Sequence, residues 1–411
     1  MSHLCILLAI AMTAGCSTTD VLLAHRVELA EADGTIADDE LLDVGIVVFD
    51  PGVPEGDIDQ DTREQLIRDG IFLHIRRAES VQMAMQLRNS LQGSRRWGSV
   101  WVTPDASTVG DLMVTARILE SDGYAVRLAV DAVDTTGRQW IDEEYELETA
   151  ASAYNGARYA NLDPYQDIFN SVANDLAAAR DELSTDDVRE IRTVGALRYA
   201  AGLSPEAFGG YVGERRGIHT PVRLPANDDP MFERTKEVRL RERLFLETLD
   251  QHYEELVLHA DAPYTAWRRY AREESIAVRE ATRSARWRAG LGAFVMVASI
   301  LYGAGADPAS FTETVVRDGA FLAGTELLNM RAQSLQGKAV HSEALEELSQ
   351  SFDDEVKPMI IELEGVQHRL TGTAEAQYAE LRELFRRQLA AERGVSLDDV
   401  RDGDIDSATR Q

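Results

Sequence analysis

The spacing of apolar residues predicts a strand-rich first half of the chain and a helical second half. Residues 43–50 form an apolar run that Pro51 and Gly52 end, which is typical of a buried strand. Between Glu79 and Leu91 the apolar positions recur at close to the helical period. The pattern then predicts a four-strand antiparallel meander, with strands at 99–103, 111–119, 124–133 and 139–147.

A helix is predicted after the meander, because Asp163 and Pro164 suit a helix start and apolar residues follow at a spacing of four. A strand, a helix, a meander and a closing helix resemble the small α/β domain of periplasmic lipoproteins. Examples are the curli secretion-channel family, the N-terminal domain of the Tol-system propeller protein and auxiliary lipoproteins of lipid transporters. The resemblance is one of topology, covers about residues 41–185, and implies a fold without implying an activity.

The chain is predicted to turn helical from about Thr185. Residues 209–230 are rich in glycine and proline, which predicts a linker. Residues 231–287 predict a charged helix with a break at Asp261-Ala262-Pro263. Such mixed charges are usually the solvated face of a helix.

An apolar stripe predicts another helix toward the C-terminus, which Pro358 is expected to kink or split. A second helix continues through residues 378–389 and is closed by Gly394. These helices are expected to pack as a bundle. The stripe consists of Leu345, Phe352, Val356, Met359, Leu363, Val366 and Leu370.

The charge of the chain narrows the range of partners. Its 411 residues include 42 Lys and Arg against 71 Asp and Glu, so the formal net charge is −29. A nucleic-acid backbone would be repelled, and no nucleic-acid partner is expected. Two cysteines are too few for a disulfide scaffold.

The N-terminus carries the most specific motif. A short apolar stretch, too short to span a bilayer, is followed by Thr13-Ala14-Gly15-Cys16, which resembles the lipobox of bacterial lipoproteins. The resemblance implies cleavage before Cys16, acylation of its thiol and attachment to a lipid bilayer. By resemblance to enterobacterial sorting, Ser17 after the cysteine points to the outer membrane. The alternative is an apolar N-terminal segment buried in the fold, with an incidental cysteine.

These observations predict an α+β protein in which a small α/β domain with an antiparallel meander precedes an all-helical C-terminal domain. The predicted boundaries are a signal peptide at 1–15, a lipidated N-terminus and tether at 16–40, the α/β domain at 41–185, a helical connector and linker at 186–230, a helical domain at 231–394 and an acidic tail at 395–411.

Residues 289–306 carry no charged side chain, and with the segment that follows they are predicted to form an apolar hairpin at 289–328. Three interpretations remain open: a buried core hairpin, insertion into a membrane, or a self-association surface of a homo-oligomer. Small residues permit close helix packing in all three. The candidate contact residues are Gly290, Gly292, Gly303, Gly305, Gly319 and Gly324.

Sequence motifs of catalysis are missing. The chain contains no nucleophile elbow, H-E-x-x-H, P-loop or G-x-G-x-x-G motif, so we expect no enzyme and no cofactor. His252, Glu255 and His259 share a helix face but extend over two turns, whereas the ligands of a metal site must converge on one ion. Asp57, Asp59 and Asp61 do not match the register of a calcium loop. No metal is expected.

The sequence therefore predicts a membrane-anchored periplasmic lipoprotein, acting as a non-enzymatic binding or scaffold component of a cell-envelope assembly with other envelope proteins as partners. One alternative is an oligomeric secretion or transport accessory whose 289–328 hairpin contacts membrane. A second is a hydrolase with an unrecognised site.

Overall fold

The computed structural model describes residues 27–54, 58–69, 71–106, 109–150, 153–154, 163–301, 358–363 and 365–393. For residues 67, 68, 263, 278 and 281–301 the description is confined to the backbone. Within this part, helices and strands are mixed, and a sheet with its helices forms the N-terminal region, in agreement with an α+β protein.

The central element is a five-stranded sheet in the order β2-β1-β3-β4-β5. Strand β1 runs parallel to both β2 and β3, whereas β3, β4 and β5 are antiparallel. The sequence pattern predicted the strand positions to within a few residues. Their bounds are Val44–Val47 (β1), Val100–Thr103 (β2), Leu112–Ser121 (β3), Ala125–Asp134 (β4) and Gln139–Glu148 (β5).

The predicted four-strand meander is wrong in one respect: β2 does not belong to it. The meander has three strands, and β2 lies on the far side of β1, parallel to it. The physical reason is that β1 is apolar along its length, and a strand buried on both faces suits the middle of a sheet rather than its edge. The long helix between β1 and β2 supplies the crossover that a parallel pair requires.

Two helices, α2 (Leu73–Ser94) and α3 (Gln166–Asp181), pack against each other beside this sheet. A shorter helix, α1 (Gln60–Arg68), precedes them. The sheet and these helices form what we call the α/β layer. On β4 every second residue faces the core, because Val126, Leu128, Val130 and Ala132 are all buried.

Part of the predicted tether is docked on this layer. The carbonyl oxygen of Val27 accepts from the Asn170 amide at 2.9 Å, and the Ala30 amide donates to Asn174 at 2.8 Å. Arg96 Nε also donates to the Ala30 carbonyl oxygen at 3.1 Å. Residues 27–30 are therefore held against α2 and α3.

Helix α4 (Thr185–Leu203) begins where the sequence turns helical, because Ser184 and Asp187 form a capping box. The short helix α5 (Pro205–Phe208) follows. The predicted linker at 209–230 is only partly a linker, since it contains a hairpin of β6 (Val212–Arg215) and β7 (Ile218–Pro221). Its turn has positive φ at Arg216 and Gly217, as a tight hairpin turn needs.

Helix α6 (Pro230–Leu301) is 72 residues long and continues through the predicted break at Pro263. A proline inside a helix costs about 3 kcal/mol. Ala260 and Tyr264, on either side of it, are both buried against the rest of the fold. Tertiary packing on both sides thus holds the helix together across the proline.

The C-terminal region is not all helical, so that prediction is wrong. Strands β8 (Met359–Leu363) and β9 (Val366–Leu370) form an antiparallel hairpin where a helix was predicted. A spacing of four is even, so it places two side chains on one face of a strand as well as of a helix. The positive φ of Gly365 permits the tight turn.

The last described helix, α7 (Ala374–Glu392), agrees with the predicted second helix, and the Thr373 hydroxyl caps it by accepting from the Ala376 amide. One cluster of buried apolar side chains extends from Leu42 in the α/β layer to Leu389 in this helix.

Candidate functional site

Helix α6 covers the free edge of the sheet. Strand β2 is an edge strand, and its Val102 amide donates to Asp250 Oδ1 on α6 at 2.9 Å. The other carboxylate oxygen of Asp250 pairs with Arg88 on α2. Burial raises the pKa of Asp250. An edge amide that would otherwise be available for pairing with another chain is thereby satisfied from within the fold.

Further along α6, a buried polar cluster joins the helix to the β3–β4 turn. The carboxylate of Glu79 on α2 is fully buried and accepts from the Ser121 hydroxyl at 2.6 Å and the Tyr264 phenol at 2.9 Å. Arg76 Nε lies 3.8 Å from Glu79 Oε2, and that oxygen has no hydrogen-bond partner among the described residues. Burial raises the pKa of Glu79.

The same cluster contains a desolvated ion pair. Arg268 on α6 donates from Nη1 and Nη2 to the two oxygens of Asp163, at 2.8 and 2.9 Å. Its side chain is 2% exposed, and its guanidinium carbon lies 4.3 Å from the centre of the Tyr264 ring. This bidentate pair fixes the position of α6 on the segment that precedes α3. We call Arg76, Glu79, Ser121, Asp163, Tyr264 and Arg268 the buried polar cluster.

Another buried carboxylate joins three helices. Glu242 on α6 accepts from the Tyr199 phenol of α4 and from the Tyr378 phenol of α7, both at 2.6 Å. All three side chains are buried. Burial raises the pKa of Tyr199 well above its ordinary value, so this phenol remains a hydrogen-bond donor at neutral pH.

The most open of these polar sites is a cleft of about 280 Å³ at the amino ends of β1 and β3, where α4 and α6 form its other walls. Four basic and two acidic side chains line it, in a chain that is strongly acidic overall. We call it the basic cleft. Its charged residues are Asp43, Asp111, Arg192, Lys236, Arg239 and Arg243.

Two ion pairs form the floor of the basic cleft. Arg239 Nη2 donates to Asp111 Oδ1 at 3.1 Å, and Arg243 Nη1 donates to Asp43 Oδ2 at 2.9 Å. Both aspartates come directly before a strand of the sheet, and both arginines lie one turn apart on α6. Burial raises the pKa of Asp111, and Arg239 opposes that effect.

The rim of the cleft carries the remaining basic side chains. Arg192 on α4 is exposed, and its Nη1 donates to the Asp38 carbonyl oxygen at 3.0 Å. Lys236 on α6 is also exposed and pairs with Glu233 at 2.7 Å. Leu240 and the ring of Tyr199 provide the apolar part of the lining.

An apolar groove of about 350 Å³ lies on the opposite part of α6, against the β8–β9 hairpin. Leu244 and Ile360 line it and are 53% and 64% exposed. Phe245 and Phe385 form its buried side.

The candidate residues from the sequence fall mostly outside these sites. Cys16, Gly303, Gly305, Gly319 and Gly324 lie outside the described residues. Gly290 and Gly292 belong to helix α6. In the part of the chain that the structure describes, no helix combines the length and apolar character that a membrane span requires.

The candidate metal residues have other roles. His259 Nδ1 lies 2.7 Å from the Glu255 carbonyl oxygen, one turn back on α6. Asp59 accepts from the Thr62 amide at 2.8 Å and so caps α1, while Asp57 is outside the described residues. The described residues contain no group of three or more His, Cys, Asp and Glu side chains that could hold a metal ion.

Sequence reasoning missed the basic cleft. One signal was present, because Lys236, Arg239 and Arg243 have a spacing of three and four and thus share a face of α6. The residues opposite them, Asp43 and Arg192, are remote in sequence, and nothing local indicates that they meet.

Comparisons with protein families, with curated proteins and with solved structures gave no match.

Proposed function

We propose that this chain is an acylated lipoprotein of the bacterial envelope that acts as a non-enzymatic binding or scaffold component, anchored through Cys16 and facing the periplasm from the outer membrane. The proposal is carried by the lipobox-like Thr13-Ala14-Gly15-Cys16 ahead of a docked chain segment. A thiol at that position is the group that receives the lipid, and two or three acyl chains anchor a protein stably.

The docked segment limits how far the protein body can lie from its anchor. Eleven Cα–Cα steps separate Cys16 from Val27, whose carbonyl is held by Asn170. A fully extended chain of that length reaches at most about 40 Å. A body on so short a tether works close to the membrane surface, which suits a component of an envelope assembly.

The long helix supports a scaffold role. Its 72 residues at a rise of 1.5 Å per residue extend about 108 Å, several times the diameter of a small domain. Within it, Arg279 pairs with Glu120 of the α/β layer at 2.7 Å, and the helix backbone continues to Leu301. A helix of this length offers partners an extended surface.

Acylation is tested with two matched cysteine variants, each expressed in a bacterial host with labelled palmitate. Cys16→Ser should lose the label and remain an unprocessed precursor. Cys5→Ser should be labelled, cut and recovered with the membranes, because Cys5 precedes the cleavage site. Normal labelling of Cys16→Ser would disprove the anchor.

The scaffold role is separated from the oligomeric alternative by native mass. Light scattering of the detergent-extracted protein, with the detergent contribution subtracted, should give a monomer for a tethered scaffold. A large ring-sized multimer that persists in Cys16→Ser would instead favour the secretion or transport accessory. A broad hydrolase screen of the same preparation tests the enzyme alternative, and any turnover that survives purification would contradict the non-enzymatic proposal.

A further inference from the structure

The basic cleft is locally positive within a strongly acidic protein. Its lining holds four basic and two acidic side chains, whereas the whole chain carries a formal charge of −29. Like charges over most of the surface would repel an anion, so a cleft of opposite sign is where an anion can settle. Its volume of about 280 Å³ suits a small ligand.

The two acidic side chains are held by groups of the protein itself. The Asp43 carboxylate pairs with Arg243 and accepts from the Ser99 amide at 2.9 Å. The Asp111 carboxylate pairs with Arg239 and accepts from the Asp43 amide at 3.1 Å. Each oxygen of both carboxylates therefore has a donor from within the fold. The negative charges on the floor are thus compensated before a ligand arrives.

Donors exceed acceptors at the cleft. The described hydrogen bond of Arg243 uses its Nη1 nitrogen. A guanidinium has five N–H donors, and the described hydrogen bond of Arg192 uses its Nη1 nitrogen. An oxyanion in the cleft can accept from the donors that these two side chains have left.

We propose that the basic cleft binds the phosphate group of a small anion. A guanidinium fork matches the oxygens of a phosphate, and the higher charge of a phosphate monoester fits a cleft with several cations better than a single carboxylate does. The ring of Tyr199 and the side chain of Leu240 give the organic part of such a ligand an apolar wall. The Tyr199 hydroxyl is already engaged with Glu242, which holds the ring in place.

This site is independent of the lipid anchor, since every residue in it belongs to the described fold. A phosphate group can come from a soluble metabolite or from a lipid headgroup, and the chemistry of recognition is the same. The experiment therefore uses three probes: inorganic phosphate, glycerol 3-phosphate, and phosphatidic acid in mixed micelles. Citrate serves as the carboxylate comparison.

Binding is measured by titration calorimetry on the full-length protein in a neutral detergent. We expect saturable binding of at least one phosphate probe, weakened by added salt. Arg192→Gln should weaken it by about tenfold or more, the usual effect of losing a charge-assisted hydrogen bond. Lys236→Gln should have a smaller effect, because its ammonium group is exposed and paired with Glu233.

The matched control is Arg189→Gln. Arg189 lies one turn before Arg192 on α4, pairs with Asp186 and is not part of the cleft lining. The Arg189→Gln variant removes the same charge from the same helix, but at a position outside the cleft. Its affinity for the phosphate probes should therefore be unchanged. Both arginines are exposed, and equal melting temperatures for the two variants would show that a loss of binding is not a loss of folding.

The outcomes are distinct. Binding of all three phosphate probes supports recognition of the phosphate group alone, and binding of phosphatidic acid alone supports a lipid headgroup as its source. The proposal is overturned if no phosphate probe binds saturably, if citrate binds more tightly than all of them, or if Arg189→Gln weakens binding as much as Arg192→Gln.

Discussion

Helix α6 meets the α/β layer through arginine–carboxylate pairs at two places that differ in how much water reaches them. In the basic cleft, Arg243 and Asp43 are 32% and 25% exposed. In the buried polar cluster, Arg268 and Asp163 are 2% and 9% exposed. The residue types and distances are alike, but the buried pair is bidentate and the open pair has a single hydrogen bond, so the two pairs differ in geometry as well as in solvent access.

The difference in solvent access gives the two arginine–carboxylate pairs different roles. A pair that water reaches contributes little to stability, because solvent screens it and hydrates each partner when the other is removed. For a desolvated pair, the attraction between the two charges is nearly cancelled by the free energy needed to bury them. Removing one partner, however, leaves an uncompensated charge in the interior. The open pair can serve ligand binding, whereas the closed pair determines where α6 sits. Four predictions test this contrast.

The largest effect is expected from Arg268→Ala. The change leaves the nearly buried Asp163 carboxylate without its cation, so the free energy of unfolding should fall by about 3–5 kcal/mol. The matched change in the cleft, Arg243→Ala, should cost less than about 1 kcal/mol. Urea denaturation of both variants measures the difference, and equal losses would contradict the comparison.

Glu242→Leu should have the next largest effect. It removes the acceptor from two buried phenols, Tyr199 and Tyr378, and we expect a loss of about 2–4 kcal/mol. Tyr378→Phe removes one donor and leaves the carboxylate with the other, so about 1 kcal/mol is expected. If Tyr378→Phe were as damaging as Glu242→Leu in the same denaturation series, the phenols would not be acting through this carboxylate.

Glu79→Gln should change the pH dependence of stability. Burial raises the pKa of Glu79 above its ordinary value of 4.5, so the folded state holds its proton more tightly than the unfolded state. This contribution is present below the unfolded pKa and is lost as pH rises through the folded pKa, with a slope of up to about 1.4 kcal/mol per pH unit.

The charged groups that act on Glu79 are Arg76 and Arg268, and its hydrogen-bond donors are Ser121 and Tyr264. Glutamine retains an acceptor for the two hydroxyls. We therefore expect the stability of Glu79→Gln relative to the wild type to increase as pH rises above 4.5. Urea midpoints over a pH series measure this. A constant difference between the two proteins would mean that Glu79 does not titrate differently on folding.

Arg279→Gln should have the smallest effect. Its guanidinium is 42% exposed and pairs with Glu120 and Asp122 at the β3–β4 turn. We expect a loss of about 0.5 kcal/mol that disappears when salt is added. A larger loss of unfolding free energy that salt does not change would mean that Arg279 behaves like the desolvated Arg268 rather than like the solvent-accessible Arg243.

The strands of the five-stranded sheet and the last helix could be predicted because their signals are local. Strand β4 was predicted at 124–133 and lies at Ala125–Asp134, since its alternating apolar residues, now buried or half-buried in turn, and the turns on either side of it are adjacent in sequence. For α7, the apolar period and the capping Thr373 are likewise adjacent in sequence.

The failures share a cause. The spacing of Met359 and Leu363, and of Val366 and Leu370, fits a helix and a strand equally, and the choice depended on Gly365 and on packing against α6. At Pro263 the local cost of a proline was real, but packing on both sides of it was worth more. In both cases the sequence pattern described the local preference of the chain correctly, and tertiary packing decided which structure formed.

The sequence by itself determined the mixed α and β composition, the positions of most strands, and the motif that predicts acylation at Cys16, because each depends on neighbours along the chain. Only the tertiary structure decided the strand order, the position of α6 on the sheet and the formation of the basic cleft. The cleft combines Asp43, Asp111, Arg192 and Arg239 from four separate elements. Residues so far apart in sequence have no local pattern in common, and only the packing of α4 and α6 against the sheet brings their charges within reach of one another.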